Sequence, residues 1–139
     1  MKLIIIVMVI FVVSGTFVLA SGGNEGVAQT TIAPPAVEEP LSSEKLAEII
    51  ASADPNTYLV DVRTEAEYEA GAIPTAINIP FDVIADNLPT EDRSARIIVY
   101  CRSGNRSGIA ADTLKGLGFT NVTNFGAVSN WRGELEVRK

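Results

Sequence analysis

One cysteine, two arginines and a run of small polar residues stand together in Cys101-Arg102-Ser103-Gly104-Asn105-Arg106-Ser107, and Cys101 is the only cysteine in the 139-residue chain. The thiolate, not the thiol, is the nucleophilic form of a cysteine, and nearby positive charge favours it. A tight polar loop running into a helix N-terminus offers backbone N–H groups and a positive dipole end to whatever anion it holds. The arginines add charge for the thiolate and for an anionic substrate. The stretch therefore suits nucleophilic attack by Cys101 on an anion bound by Arg102, Ser103, Gly104, Asn105, Arg106 and Ser107. The chain has no histidine. That removes histidine-assisted acyl chemistry and, with one cysteine, leaves a soft-metal site unsupported.

Positioning such a loop needs a strand before it and a helix after it. Residues 97–100 are apolar and largely β-branched, which reads as a buried strand delivering Cys101 at its carboxyl end. A helix is predicted from near Ser107 to about Lys115, with Gly116 and Gly118 as terminators. Ser42 or Ser43 can cap a first helix with Leu46, Ile49 and Ile50 on its apolar face. Strands are expected at 58–62, 76–79 and 122–125. Thr64 can cap a short helix over 65–70 closed by Gly71. Further helices are predicted over 81–88, bounded by Pro80 and Pro89, and over 129–137, which carries Trp131 as a core anchor.

Strands alternating with helices imply an α/β domain of three layers, a central parallel sheet of about five short strands with helices on both faces. In such sheets ligands bind beyond the carboxyl ends of the strands. Asp61 ends one strand and Cys101 another, so the two could share a rim. Asp61 and Arg63 are expected to fix the fold near the site, and Arg63 and Glu67 have the spacing of a local ion pair.

The first 20 residues are of a different kind. Lys2 precedes an unbroken apolar run over 3–13, followed by Ser14, Gly15 and Thr16 and by Val18 and Ala20 at spacing suited to cleavage before Ser21. This is the pattern of a secretory signal peptide, residues 1–20. An uncleaved membrane anchor is the alternative. Either way the domain is expected outside the cytoplasm, periplasmic if cleaved and membrane-anchored if not. Residues 21–40, rich in Gly, Ala, Thr, Pro and Glu, read as a flexible linker, and residues 41–139 as the folded domain. The whole chain carries 11 basic and 17 acidic residues. That balance excludes a nucleic-acid binder, and a single cysteine excludes an intramolecular disulfide.

The loop Cys101-Arg102-Ser103-Gly104-Asn105-Arg106 resembles the active-site loop of the rhodanese family of sulfurtransferases. The stretch from Asp61 through Val62 and Arg63 to Tyr68 resembles that family's Asp-Val-Arg segment. Gly71 to Pro80 resembles its Gly-His-Ile-Pro-Gly-Ala-Ile-Asn-Ile-Pro segment, and Gly118 to Val122 and Gly126 to Trp131 resemble its C-terminal signatures. The likeness covers nearly all of residues 41–139. Ala72 stands where the family usually has histidine, Thr75 where it often has glycine, and Ala127 in place of the second glycine of a pair. The first two fall in a structural segment. Ala127 adds a Cβ where the backbone would otherwise be free to take φ > 0.

The resemblance implies sulfane-sulfur transfer with no cofactor. The Cys101 thiolate would take sulfur from a small sulfur-containing anion such as thiosulfate and pass it from a persulfide to cyanide or a thiol. Two other readings share the loop. One is a sulfur-carrier or partner-binding module. The other is a phosphatase or arsenate reductase, against which the four residues between Cys101 and Arg106 argue, since such enzymes resemble a five-residue separation.

Overall fold

The computed structural model describes residues 39–139. The signal or anchor over 1–20, and all of the linker but Glu39 and Pro40, lie outside the described residues. The domain is built from α1 (Ser43–Ser52), β1 (Thr57–Asp61), α2 (Glu65–Ala70), β2 (Ile77–Asn78), β3 (Arg96–Cys101), α3 (Asn105–Gly116) and β4 (Asn121–Ala127), then a 3-10 turn at Val128–Asn130. Four strands form one sheet in the order β2-β1-β3-β4, all parallel, rather than the approximately five expected. Register sets Asp61 opposite Tyr100 and Cys101 opposite Ala127, so both candidate residues reach the carboxyl rim.

Alternation along the strands sends side chains to opposite faces. From β3, Ile97, Val99 and Cys101 join Val60, Val62, Ile84, Ala110, Leu114 and Phe119 in one core. Ile98 and Tyr100 join Leu46, Leu59, Ile73 and Phe125 in the other, on which Ile49, Tyr68 and Trp131 pack half-buried. Helix α3 covers the first face and α1 the second. Burying each of the large side chains fully contributes about 1.5–3 kcal/mol.

Two predicted helices do not form. Residues 81–88 make successive turns, with Val83 N–H donating to the Pro80 carbonyl at 3.1 Å and Asp86 N–H to that of Val83 at 3.1 Å. The Asn87 side chain also donates to the Val83 carbonyl, at 3.1 Å, and prolines bound the segment at both ends. A segment this short, bounded by prolines, does not repay helix nucleation, and it closes only one helical turn, from the Asn87 N–H to the Val83 carbonyl at 3.0 Å. Ile84 is buried completely even so, with Phe81 and Leu88 half-buried against the core, while Val83 is exposed.

Beyond Asn130 the chain also departs from the helix predicted over 129–137. It turns at Gly133, where a Cβ would lie 2.6 Å from the Trp131 ring, and the indole donates to the Glu134 carbonyl at 3.2 Å. Glu136 then pairs antiparallel with Ala72 through hydrogen bonds of 2.9 and 2.8 Å.

Of the three departures from the family pattern, only one strains the backbone. Ala127 is extended at φ −83° and ψ 141°, and the left-handed conformation falls on Gly126 at φ 91°. Ala72 is buried and held by the pairing with Glu136. Thr75, by contrast, sits at φ 67°, which a β-branched residue adopts only at a cost. Thr75 is exposed, so its replacement leaves no cavity. Relief of the left-handed strain exceeds the entropic cost of glycine, so Thr75→Gly should stabilise the domain by about 0.5–1 kcal/mol, read as a raised midpoint in urea.

Candidate active site

Cys101 is the last residue of β3 and is buried. Beyond it the chain reverses at Gly104, whose φ of 98° makes it a left-handed cap for α3. That turn points the Gly104 N–H at the sulfur, with N to Sγ of 3.0 Å. The Ser107 hydroxyl lies 3.4 Å from Sγ, 3.0 Å from the Gly104 carbonyl and 3.4 Å from the Gly126 carbonyl. Its single proton can serve one of these at a time. Helix α3 begins at Asn105, two residues before the predicted start, so the first turn of the helix lies directly over the thiol.

Burial pushes the Cys101 thiol up, but the Ser107 hydroxyl outweighs it together with the amides of Ser107, Gly104 and Ser103. The net direction is below the ordinary cysteine value, because every one of these donors favours the charged form. Gly104 also approaches the other side of the rim. A Cβ there would stand 3.6 Å from the Gly126 Cα, so two left-handed glycines face one another across the loop.

The two arginines separate. Arg102 is exposed, as are Ser103 and Asn105, and Arg102 makes no ion pair with a described residue. Arg106 is turned to Glu67 of α2, with Nη1 to Oε2 at 2.8 Å and Nη2 to Oε1 at 3.0 Å. The Glu67 Oε2 atom also accepts from the Thr64 N–H at 3.1 Å and from its hydroxyl at 3.0 Å. The Glu67 N–H in turn donates to the Thr64 hydroxyl, which completes a capping box on α2.

The predicted Arg63–Glu67 pair is therefore not made. Arg63 instead grips Asp61, with Nε to Oδ1 at 2.9 Å and Nη2 to Oδ2 at 2.6 Å, and donates to the Gly71 carbonyl at 2.7 Å. The reason is geometric. Arg63 precedes the helix and folds back along the strand end, while Glu67 is committed to the cap. Asp61 and Arg63 are buried and bonded to each other at the rim. Glu67 was the residue missed as a neighbour of the loop. The Thr64-to-Glu67 spacing signals a capping box, but nothing local signals a partner 39 residues away.

The rhodanese-like domain family model matches residues 42–134, which includes every element just described. The chain belongs to the rhodanese-like domain family. Among similar proteins, the thiosulfate:glutathione sulfurtransferase of Saccharomyces cerevisiae is 32% identical over 104 residues, covering 65% of this chain and 75% of that protein. A sulfurtransferase of Allochromatium vinosum is 34% identical over 92 residues, covering 66% and 85%. The rhodanese-like domain protein of Staphylococcus aureus superposes with a TM-score of 0.61 at 31% identity, over 71% of this chain and 97% of its own. A rhodanese with anions from E. coli superposes with a TM-score of 0.51 at 31% identity, over 58% and 96%.

The Glu67 carboxylate carries a pH dependence that this rhodanese-like domain should show. Its bonds to Arg106 hold it well below the ordinary 4.5, at about 2, with burial opposing and Thr64 assisting. A carboxylate depressed on folding contributes stability above its unfolded value and loses it as pH falls through the folded one. The stability gap between the wild type and Glu67→Gln should be full at neutral pH and shrink between 4.5 and about 2, as followed by denaturant titration at each pH.

Proposed function

We propose that this domain is a sulfurtransferase that moves a sulfane sulfur from a thiosulfate-like donor to a thiophilic acceptor through a persulfide on Cys101. The observation that carries the reading is the sulfur's own environment, the Gly104 N–H at 3.0 Å and the Ser107 hydroxyl at 3.4 Å with no histidine in the chain. Such a site stabilises a thiolate and does not need a base. The similar proteins named as sulfurtransferases support the same class of reaction.

The steps balance without a cofactor. The thiolate attacks the outer sulfur of thiosulfate, a Cys101 S–S bond forms, and sulfite departs with the electrons of the bond that breaks. The persulfide anion is then held by the donors that held the thiolate. Cyanide or a thiolate attacks the outer sulfur, and the Cys101 thiolate is released as leaving group. Arg102, exposed at the loop, is placed to attract the donor anion.

A phosphatase or arsenate reductase fits less well. Such chemistry requires a guanidinium fork around a tetrahedral oxyanion, and both terminal nitrogens of Arg106 are bonded to Glu67. Incubation with thiosulfate should add about 32 Da to the protein, since covalent catalysis stores one sulfur on the nucleophile. Addition of cyanide should remove that mass and release thiocyanate, and Cys101→Ser should abolish both. Phosphate release without the mass gain would instead establish the phosphatase. A stable adduct that small acceptors cannot discharge would mark a carrier that delivers its sulfur to a protein.

We also propose export, on the apolar pattern of residues 1–20. Secreted or periplasmic material should have a mature chain beginning at Ser21 by intact-mass analysis. A chain retaining Met1 in the membrane fraction would make the segment an anchor.

A further inference from the structure

Helix α2 and the cysteine loop meet at a single carboxylate. Glu67 lies on the first turn of α2 and Arg106 on the first turn of α3, and their side chains are 29% and 27% exposed. The pair is bidentate, so one N–H of each terminal nitrogen of Arg106 is committed to Glu67, and the Nε–H and the second N–H of each terminal nitrogen are left over. The capping bonds from Thr64 hold Glu67 Oε2 in place independently of Arg106. An arginine whose end fork is held by a preorganised carboxylate is fixed in orientation and has its charge partly matched.

We propose that Glu67 is a positioning residue for the Cys101 loop: it holds the Arg106 guanidinium off the incoming donor and sets how much positive charge the donor and Cys101 meet. On this arrangement Arg102, exposed beside the sulfur, is the side chain that steers the anion, and Arg106 is a neutralised strut. The inference rests on the sulfurtransferase reading only where the donor is concerned.

The other charged groups around Cys101 are few. Asp61 and Arg63 at the end of β1 are paired with each other. Arg102 lies in the loop itself. The β4 rim and the turn after it, residues 124–130, carry no charged side chain. On α3, Asp112 is exposed and lies farther along the helix, and on the turn segment Asp82 and Asp86 are exposed. Arg106 lies within the field of both Cys101 and Asp61, whose negative charges favour its protonated form, and Glu67 is the carboxylate bonded to it.

Glu67→Gln keeps the shape and a carbonyl acceptor for Arg106 but deletes the negative charge. The Cys101 ionisation midpoint, read from thiolate ultraviolet absorbance against a Cys101→Ser blank, should move down by about half a pH unit or more, because an uncompensated cation favours the anion. The KM for thiosulfate should fall in the same variant. Combining it with Arg106→Gln should return the midpoint to the wild-type value or above. Thr64→Ala removes a capping bond and no charge, so it should lower the melting temperature and leave the midpoint in place.

An unchanged or raised midpoint in folded Glu67→Gln would overturn the proposal, as would a Thr64→Ala midpoint that moved equally. If thiosulfate left every protein unmodified while the midpoints shifted as described, the sulfur-donor reading would fail and the role of Glu67 would stand.

Discussion

A sulfur anion enclosed at the end of a strand has to be hydrogen-bonded, because the same burial that shelters it from water opposes its charge. In this domain the donors are backbone N–H groups and one serine hydroxyl that the backbone turn carries into place. The left-handed turn at Gly104 aims an N–H at Sγ, and the start of α3 at Asn105 brings the Ser107 hydroxyl over it. The rest of the site follows from that turn. Gly126 takes its own positive φ so that the facing rim can come close to Gly104, and Ser107 reaches across to the Gly126 carbonyl. Side-chain charge has a smaller part than the two arginines suggest, since one of them is already matched by a carboxylate.

That the loop is dangerous to leave unsupported explains how much of the surrounding structure is polar yet buried. The Asp61–Arg63 pair extends from the end of β1 to the Gly71 carbonyl, and the Asn78 side chain donates to the Asp61 and Arg63 carbonyls at 2.9 and 3.0 Å. Buried ion pairs are weak sources of net stability, because desolvation consumes much of their attraction. Their value here lies in fixing where the strand ends stop. A one-residue slip in the pairing of β1 with β3 would also turn Cys101 to the wrong face.

Much of this was legible in the order of residues. The strand ending on Cys101, the capped helices α1 and α2, and the parallel arrangement follow from period, caps and alternation. What those signals could not convey is how a buried segment bonds its backbone. Phe81, Ile84 and Leu88 have helical spacing and do pack into the core, but the segment between Pro80 and Pro89 closes only one i to i−4 bond, from the Asn87 N–H to the Val83 carbonyl. The helix expected over 129–137 fails for a local reason, because Gly133 bends the chain around the Trp131 indole. The partner of Arg106 was out of reach for another reason. Glu67 is far away in sequence, and its nearer candidate, Arg63, is the one the fold assigns elsewhere.

The antiparallel bridge between Glu136 and Ala72 works as a clasp. It fastens the last residues of the chain beside Gly71, whose carbonyl is the outer anchor of Arg63, while the Arg132 N–H fastens the same tail to the Ser43 hydroxyl at the start of α1, at 2.9 Å. Both ends of the folded domain are thereby sewn to one side of the sheet, and the tail reaches the site's support through two hydrogen bonds. Loss of the Glu136–Ala72 bridge would loosen the backbone next to the Gly71 carbonyl, and so the Arg63 anchor, without touching the sulfur.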